Sequence, residues 1–197
     1  MPLILAVQLF INFDRGTSGF QFVEHYSWIK TFNIEYFMAI DGLSVPMVLL
    51  TAFLSFLCVI ASWNIAKAIK GYMSLFLILE AGMLGVFCAL DFFLFFVFWE
   101  VMLLPMYFLI GIWGGQRRIY AAVKFFIFTQ VGGLLMLVAI LGLVMAHGSA
   151  TGEYTFDYTR LLGTEFAPGV AMWLMLGFFA AFAVKLPVVP FHSWLPD

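Results

Sequence analysis

The stretch from Asp91 to Trp113 reads DFFLFFVFWEVMLLPMYFLIGIW and constrains the fold more than any other part of the chain. It is long enough to cross a bilayer as a helix, because about 20 apolar residues at ~1.5 Å each span the ~30 Å hydrocarbon core. Glu100 lies near its middle, and Pro105 follows a short distance later. Pro105 leaves the carbonyl of Val101 without its helical donor, so the sequence predicts an interrupted helix beside a carboxyl group at membrane depth.

The composition of the chain indicates that this stretch is one of several spans. Of the 197 residues, 64% are hydrophobic and only 10% are charged, whereas a soluble domain is about half apolar and about a quarter charged. The sequence therefore predicts an all-α, polytopic transmembrane helix bundle in a lipid bilayer. The net charge of −2 is too small to indicate a nucleic acid as partner.

Apolar runs along the chain predict about five full spans and one partial span. Residues 1–13 are apolar but too short to cross a bilayer, so they form the partial span. The full spans are expected at 43–63, 72–90, 91–113, 121–147 and 169–190. No soluble domain separates them, and residues 1–197 are predicted to form a single membrane domain. Because the chain stops directly after the last span, we expect it to be a fragment of a larger subunit.

The positive charges predict the orientation of the spans. Two short loops, 64–70 and 114–120, carry four of the nine basic residues. Two longer loops, 14–40 and 148–168, carry three more basic residues, which are diluted by acidic ones. Short basic loops face the cytoplasm in most membrane proteins. We therefore expect loops 64–70 and 114–120 to be cytoplasmic, and loops 14–40 and 148–168 to be non-cytoplasmic.

Titratable residues within or beside the spans are the candidates for function. They are Glu80, Glu100, Lys124, Lys185 and His192. A charge near the centre of a bilayer is costly unless it is paired or hydrated, so such residues usually mark ion or proton paths. Structural alternatives exist for each type. A glutamate can hydrogen-bond between helices and hold them together, a lysine can extend to the membrane interface, and a histidine can lie in a loop.

The last predicted span contains a second interruption, in the sequence AVKLPVVP from Ala183 to Pro190. Pro187 leaves the carbonyl of Ala183 without a helical donor, and Pro190 does the same for Leu186. Irregular backbone at membrane depth is tolerated only where it is buried in protein or lines water. The sequence therefore predicts a broken helix with Lys185 facing the protein interior. The alternative is a simple proline kink.

Glu100 and Lys185 suit proton exchange better than bond-making chemistry. Two unit charges about 4 Å apart interact with about 4 kcal/mol at an effective dielectric constant of about 20. That energy exceeds the ~2.3 kcal/mol that moving one charge costs per 100 mV of membrane potential. Along regular, upright helices starting at Asp91 and Gly169, the two residues are offset by about 10 Å. This offset predicts a link through water or another side chain rather than direct contact.

The sequence indicates no cofactor or metal site in this chain. Cys58 and Cys88 lie within apolar runs, and two cysteines cannot supply the four ligands of an iron–sulfur cluster. No HExxH, P-loop or dinucleotide-binding motif is present,. Any redox or nucleotide chemistry associated with the chain is therefore expected in other proteins.

Three stretches resemble the antiporter-like membrane subunits of respiratory complex I, the NADH:quinone oxidoreductase. They are FFLFFVFWEVMLLPMYFLIGIWGG, KFFIFTQVGGLLML and AFAVKLPVVPFHSWLPD. The segment WEVMLLPMYFLIGIWG is similar to the subunit M (chain 4) branch in particular, and the similarity extends from Asp41 onward. The resemblance implies a larger subunit, of which this chain holds the end of the second helix through the broken seventh.

The resemblance also implies roles and surroundings. Glu100 matches an essential glutamate on the fifth helix, Lys185 matches the pump-site lysine on the seventh, and Lys124 matches a lysine on the sixth. The family implies a proton-translocating subunit in the bacterial inner membrane, assembled with other membrane subunits and internal water. NADH, FMN, iron–sulfur clusters and quinone bind to partner subunits in that family. The alternatives are a subunit of a multisubunit cation/proton antiporter or membrane-bound hydrogenase, and a purely structural membrane subunit.

Overall fold

The computed structural model describes residues 1–195. Its helices are α1 (Pro2–Asn12), α2 (Ser44–Ala61), α3 (Ile69–Cys88), α4 (Phe92–Val101), α5 (Leu103–Trp113), α6 (Arg118–Thr151), α7 (Tyr158–Leu161) and α8 (Pro168–Lys185). Its strands are β1 (Gln21–Ile29) and β2 (Ile34–Ile40), which pair with each other in antiparallel orientation.

Five apolar helical segments within residues 1–195 are long enough to cross a membrane. They are Ser44–Asn64, Ile69–Cys88, Phe92–Trp113, Arg118–Thr151 and Pro168–Lys185. The third combines α4 and α5, and the first adds a 3₁₀ turn to the end of α2. α1 is apolar but shorter. The predicted polytopic helix bundle, with five full spans and a partial N-terminal one, is confirmed.

The segment 14–40, which the sequence predicts as a loop, contains the β1–β2 hairpin. β2 buries Phe37 and Ala39, whereas nearly all of β1 is exposed. His25 of β1 stacks on Phe37 with ring centres 4.2 Å apart, and its Nε2 lies 2.7 Å from a carboxylate oxygen of Glu35. The hairpin thus packs one strand against the helices and presents the other outward.

The third span is interrupted, as Glu100 and Pro105 predict. α4 ends at Val101 and α5 begins at Leu103, with Met102 between them. Pro105 is buried and has no N–H to donate to Val101, while the next bond, from Met106 N–H to the Met102 carbonyl, is long at 3.4 Å,. The break therefore lies one turn before the proline and directly after Glu100.

The helix of the last span ends before Pro187 and Pro190. α8 stops at Lys185, and the chain continues through turns instead of helix. One detail of the prediction is wrong: the Ala183 carbonyl is not left free by Pro187, because the N–H of Val188 donates to it at 2.9 Å. The turn folds back, and the indole N–H of Trp194 donates to the Val184 carbonyl at 2.9 Å. The predicted break at Pro187 and Pro190 is thus present, with a partly satisfied backbone.

Glycines allow α6 to approach the two interrupted spans closely. Gly132 of α6 faces α8, where an added methyl group would lie 3.4 Å from the Cα of Ala181. Gly177 of α8 meets α6 so closely that an added methyl group would lie 2.8 Å from the Cβ of Ala139. Met136 and Ile140 of α6 are fully buried at the same contact region. α6 therefore forms the centre of the bundle and brings α4 and α8 together.

The side chain of Asp91 fixes the start of α4. It is fully buried, and its Oδ1 accepts from the N–H groups of Phe93 and Leu94, both at 2.9 Å. Its Oδ2 accepts from the N–H of Glu35 in β2 at 3.0 Å. Burial raises the pKa of the Asp91 carboxyl, although these three donors favour its charged form,. One side chain therefore caps α4 and joins it to the hairpin.

The backbone on either side of Asp91 pairs with the segment after α6. The N–H of Phe92 donates to the Phe156 carbonyl at 2.9 Å, and the N–H of Tyr158 donates to the Leu90 carbonyl at 2.8 Å. Residues 148–168 were predicted as a loop, but α6 extends to Thr151 and α7 lies within this segment. The segment is therefore anchored to α4 rather than loose.

Candidate functional site

Glu100 lies one residue before the end of α4 and points toward α6. Its side chain is half-buried, and its Oε1 is a buried oxygen with no hydrogen-bond partner within residues 1–195. This oxygen lies over Gly133 of α6, where a methyl group would overlap it. A buried, unpaired carboxyl oxygen is costly in a dry interior. The arrangement favours a proton or a water molecule at this atom.

Gln130 and Lys185 are the side chains that interact with the Glu100 carboxyl. Gln130 lies one turn before Gly133 on α6. Lys185 is the last residue of α8, where the carbonyl end of the helix favours a cation,. Among the ion pairs of residues 1–195, none joins Lys185 to Glu100, although the two charges interact through space. The structure thus brings the two predicted residues to one site without direct contact.

The Lys185 ammonium lies over the ring of Trp99, with Nζ 4.8 Å from the ring centre. Trp99 directly precedes Glu100 on α4 and is only 9% exposed. Its ring is held edge-to-face by Phe182 of α8 at 5.6 Å and in a tilted arrangement by Phe95 at 5.9 Å. The sequence interpretation did not select Trp99, because its contact with Lys185 depends on how α4 packs against α8.

Lys124 lies near the start of α6, away from this contact. Its Nζ is 5.6 Å from the centre of the Tyr120 ring, and the guanidinium of Arg117 lies 5.7 Å from the same ring. Lys124 is thus grouped with the basic loop at 114–120. Among the interactions of Glu100 and Lys185 within residues 1–195, none involves Lys124.

Glu80 and His192 also lie apart from the pair. Glu80 of α3 is buried, with 6% of its surface exposed, and within residues 1–195 no interaction links it to Glu100 or Lys185. His192 is exposed in the turns after α8, where its carbonyl accepts from the N–H of Leu195 at 3.1 Å. Of the five predicted residues, the structure therefore gathers two.

The described part of the chain shows no arrangement typical of a metal centre. Within residues 1–195, no group of three or more His, Cys, Asp or Glu side chains is placed to hold a metal ion. Gln130, Trp99 and Gly133 are instead the neighbours of the charged pair. They supply an amide, an aromatic face and space for a carboxyl oxygen. Together with the carboxyl of Glu100 and the amine of Lys185, such a set can hold and transfer a proton.

Fold and site together define a polytopic membrane helix bundle of the antiporter-like class, with charged side chains at two helix interruptions. The chain belongs to the NADH:quinone oxidoreductase/Mrp antiporter transmembrane family, whose model matches residues 89–197. Residues 3–89 match the amino terminus of NADH-ubiquinone oxidoreductase chain 4. The two matches meet at the boundary between α3 and α4, and together they cover nearly all of the chain.

Curated relatives share this likeness over most or all of the chain. NADH-quinone oxidoreductase subunit M of Escherichia coli K12 is 55% identical across 100% of this chain and 41% of its own length. The subunit M of Pseudomonas aeruginosa is 57% identical across 86% of this chain and 35% of its own length. NADH-ubiquinone oxidoreductase chain 4 of Arabidopsis thaliana is 44% identical across 100% of this chain and 39% of its own length. The chain thus spans about two fifths of these relatives.

Solved structures share the fold. Respiratory complex I from Thermus thermophilus contains a chain that matches 98% of this one with a TM-score of 0.86 and 31% identity, over 39% of that chain. The Mrp complex from Dietzia matches 100% of this chain with a TM-score of 0.78, over 21% of its own chain, at 23% identity. The second likeness is one of fold alone.

Proposed function

We propose that this chain is part of a proton-translocating membrane subunit of an NADH:quinone oxidoreductase, and that Glu100 and Lys185 hold the transferred proton in turn. One observation carries the proposal. The Glu100 carboxyl has a buried, unpartnered oxygen at a helix interruption, and the Lys185 ammonium lies nearby at a second interruption. Such residues at membrane depth usually serve ion or proton transfer.

The two interruptions explain how the proton moves. When the ammonium of Lys185 approaches the carboxylate of Glu100, the charged forms of both are stabilised. When it withdraws, Glu100 takes up a proton and Lys185 releases one to internal water. Lys124, Glu80 and His192 stay predictions, as candidates for transfer steps beyond this pair.

The surroundings of the subunit follow from its relatives. Because the curated relatives are named NADH-quinone oxidoreductase subunits, the proposed partners are the other membrane subunits of such a complex. Partner subunits would bind NADH, FMN, iron–sulfur clusters and quinone, and the chain itself would bind none of them. Lipid, protons and internal water complete the proposed environment. The proposed location is the bacterial inner membrane, with loops 64–70 and 114–120 on the cytoplasmic side and loops 14–40 and 148–168 opposite.

Replacing Glu100 tests this function in the full-length subunit within its assembled complex. Glu100→Gln keeps the size and hydrogen bonds of the side chain but removes its titrating group. We expect the variant to assemble and to lose coupled proton pumping, measured as NADH-driven acidification of inverted membrane vesicles. Glu100→Asp should retain part of the activity, because the carboxyl survives about one bond length short.

Glu24→Gln in the exposed strand β1 is the matched control and should pump at the wild-type rate. If Glu100→Gln pumped at the wild-type rate, the side chain would serve only as a hydrogen-bonded link between helices, which is the structural alternative. A cation/proton antiporter subunit is the other alternative, supported by the shared fold of the Mrp complex. In that case, an imposed sodium gradient would drive proton movement in vesicles without NADH.

A further inference from the structure

We propose that Trp99 is a positioning residue that holds the Lys185 ammonium beside Glu100 and off its carboxylate, so that the indole ring sets how often the charge pair closes. This inference rests on the proposed function and names a residue that controls it. The lysine Nζ lies 4.8 Å from the centre of the ring. No direct ion pair with Glu100 is formed in this arrangement within residues 1–195.

The ring is fixed independently of the lysine. Trp99 is 9% exposed and is packed against Phe182 at 5.6 Å and Phe95 at 5.9 Å. Phe182 lies on α8 one turn before Lys185, so the same helix supplies both the cation and a wall of the aromatic pocket. The indole ring is therefore held between aromatic side chains of α4 and α8.

The electrostatics of the ring make its face suitable for an ammonium that must leave again. The indole face attracts a cation through its quadrupole, and tryptophan does so more strongly than phenylalanine or tyrosine. This attraction between the ammonium and the ring is weaker than the attraction between an ammonium and a desolvated carboxylate. Because the Lys185 ammonium lies over the Trp99 ring and also interacts through space with the Glu100 carboxyl, a short movement of the lysine side chain exchanges one partner for the other. The open and closed arrangements of the pair thus compete at a single site.

Fluorinated tryptophans test the role of the ring without changing its shape. Each added fluorine weakens the cation-binding face of the indole, so tryptophan, monofluoro-, difluoro- and trifluorotryptophan form a graded series. The analogues are placed at position 99 of the full-length subunit in its assembled complex. Protons pumped per NADH oxidised are then measured in reconstituted vesicles. We expect this ratio to fall stepwise along the series.

Trp173 of α8 provides the matched control, because its side chain is 75% exposed and has no place in the site. The same analogues at position 173 should leave the ratio unchanged. A packing role for Trp99 would give a flat series at position 99, and that result would overturn the proposal. Glu100→Gln, measured in parallel, separates the two hypotheses: if it abolishes pumping while the position-99 series is flat, the proposed function stands and the role of Trp99 fails.

Discussion

At the scale of single residues, Gly133 determines where the Glu100 carboxyl can lie. The Oε1 of Glu100 occupies the space that any larger residue at position 133 would fill. The adjacent Gly132 faces α8, and an added methyl group there makes only ordinary contact, 3.4 Å from Ala181 and Val184. Of these two neighbouring glycines, only Gly133 is required by the space that its neighbour occupies.

Gly133→Ala should impair proton pumping without preventing assembly. The overlapping atom is the end of a flexible side chain, so the carboxyl must turn aside, and a rotation of about 30° away from its staggered rotamer costs about 0.5–1.5 kcal/mol. We expect pumping to fall several-fold while the subunit remains in the complex. The measurement is NADH-driven acidification of vesicles with immunodetection of the subunit.

Gly132→Ala is the control for that experiment and should pump nearly as well as the wild type. Combining Gly133→Ala with Glu100→Gln should add no further loss, because both changes affect the same group. Equal pumping by Gly133→Ala and the wild type would show that the carboxyl position does not depend on this glycine.

The sequence reveals the charged members of the site but not their neighbours. Glu100 and Lys185 stand out because a charge in an apolar run has few structural explanations, and the nearby prolines indicate where the helices break. Trp99 and Gly133 do not stand out in this way, because each is an uncharged residue among many others in an apolar run. Their importance arises from contacts between α4, α6 and α8, which no local pattern encodes.

At the scale of elements, Asp91 connects the start of α4 to β2. It caps the helix through two N–H groups and accepts a third bond from Glu35. Since α4 carries Trp99 and Glu100, this cap sets the height of the site in the bundle. The pKa of Asp91 is raised because burial destabilises the charged carboxylate more than its three hydrogen bonds stabilise it.

Replacing Asp91 should lower stability in a graded order. Asp91→Ala loses a helix cap, worth about 1 kcal/mol, and removes the acceptor of the part-buried Glu35 N–H, which costs at most a further ~1–3 kcal/mol,. Asp91→Asn keeps one acceptor for the cap and should lie between alanine and the wild type. Thermal unfolding of the purified complex in detergent, followed by loss of the subunit, measures the order.

Asp14→Ala is a suitable comparison for that series, because Asp14 is an exposed carboxyl with its own local hydrogen bonds to Thr17 and Gly16. It should change the unfolding temperature little. If Asp91→Ala were as stable as Asp14→Ala, the buried cap would not hold α4 in place.

Helices were easier to predict than the hairpin. A run of about 20 apolar residues has one common explanation in a membrane protein. β2 offers only the seven residues IEYFMAI, and short apolar runs leave helix and strand ambiguous. β1 carries polar residues on an exposed strand, so its alternation was weak. Helix ends were also less certain, as the extension of α6 to Thr151 illustrates.

At the scale of the whole molecule, the distribution of basic residues bears on orientation. The loops at 64–70 and 114–120 lie next to each other: Lys67 Nζ donates to the Ile112 carbonyl at 3.4 Å, and Trp113 Nε1 donates to the Lys67 carbonyl at 2.8 Å. Both basic loops therefore share one end of the bundle. The hairpin and the segment after α6 meet around Asp91 at the other end.

Cysteine labelling tests the orientation that we propose for these ends. In the full-length subunit with Cys58 and Cys88 replaced by serine, Ser18→Cys in loop 14–40 should react with an impermeant maleimide in intact cells. Gln116→Cys in loop 114–120 should react only after the membrane is opened, because the proposed orientation puts the short basic loops on the cytoplasmic side. The opposite labelling pattern would reverse the orientation of every span.

The pairing around Asp91 has a consequence for the order in which the chain is completed during synthesis. Leu90 and Phe92 bond to Tyr158 and Phe156, which emerge only after α6 has been translated and has crossed the membrane. Until then the start of α4 presents unpaired backbone groups beside the hairpin. The start of the third span thus acquires its full set of backbone hydrogen bonds only after the fourth span has been synthesised.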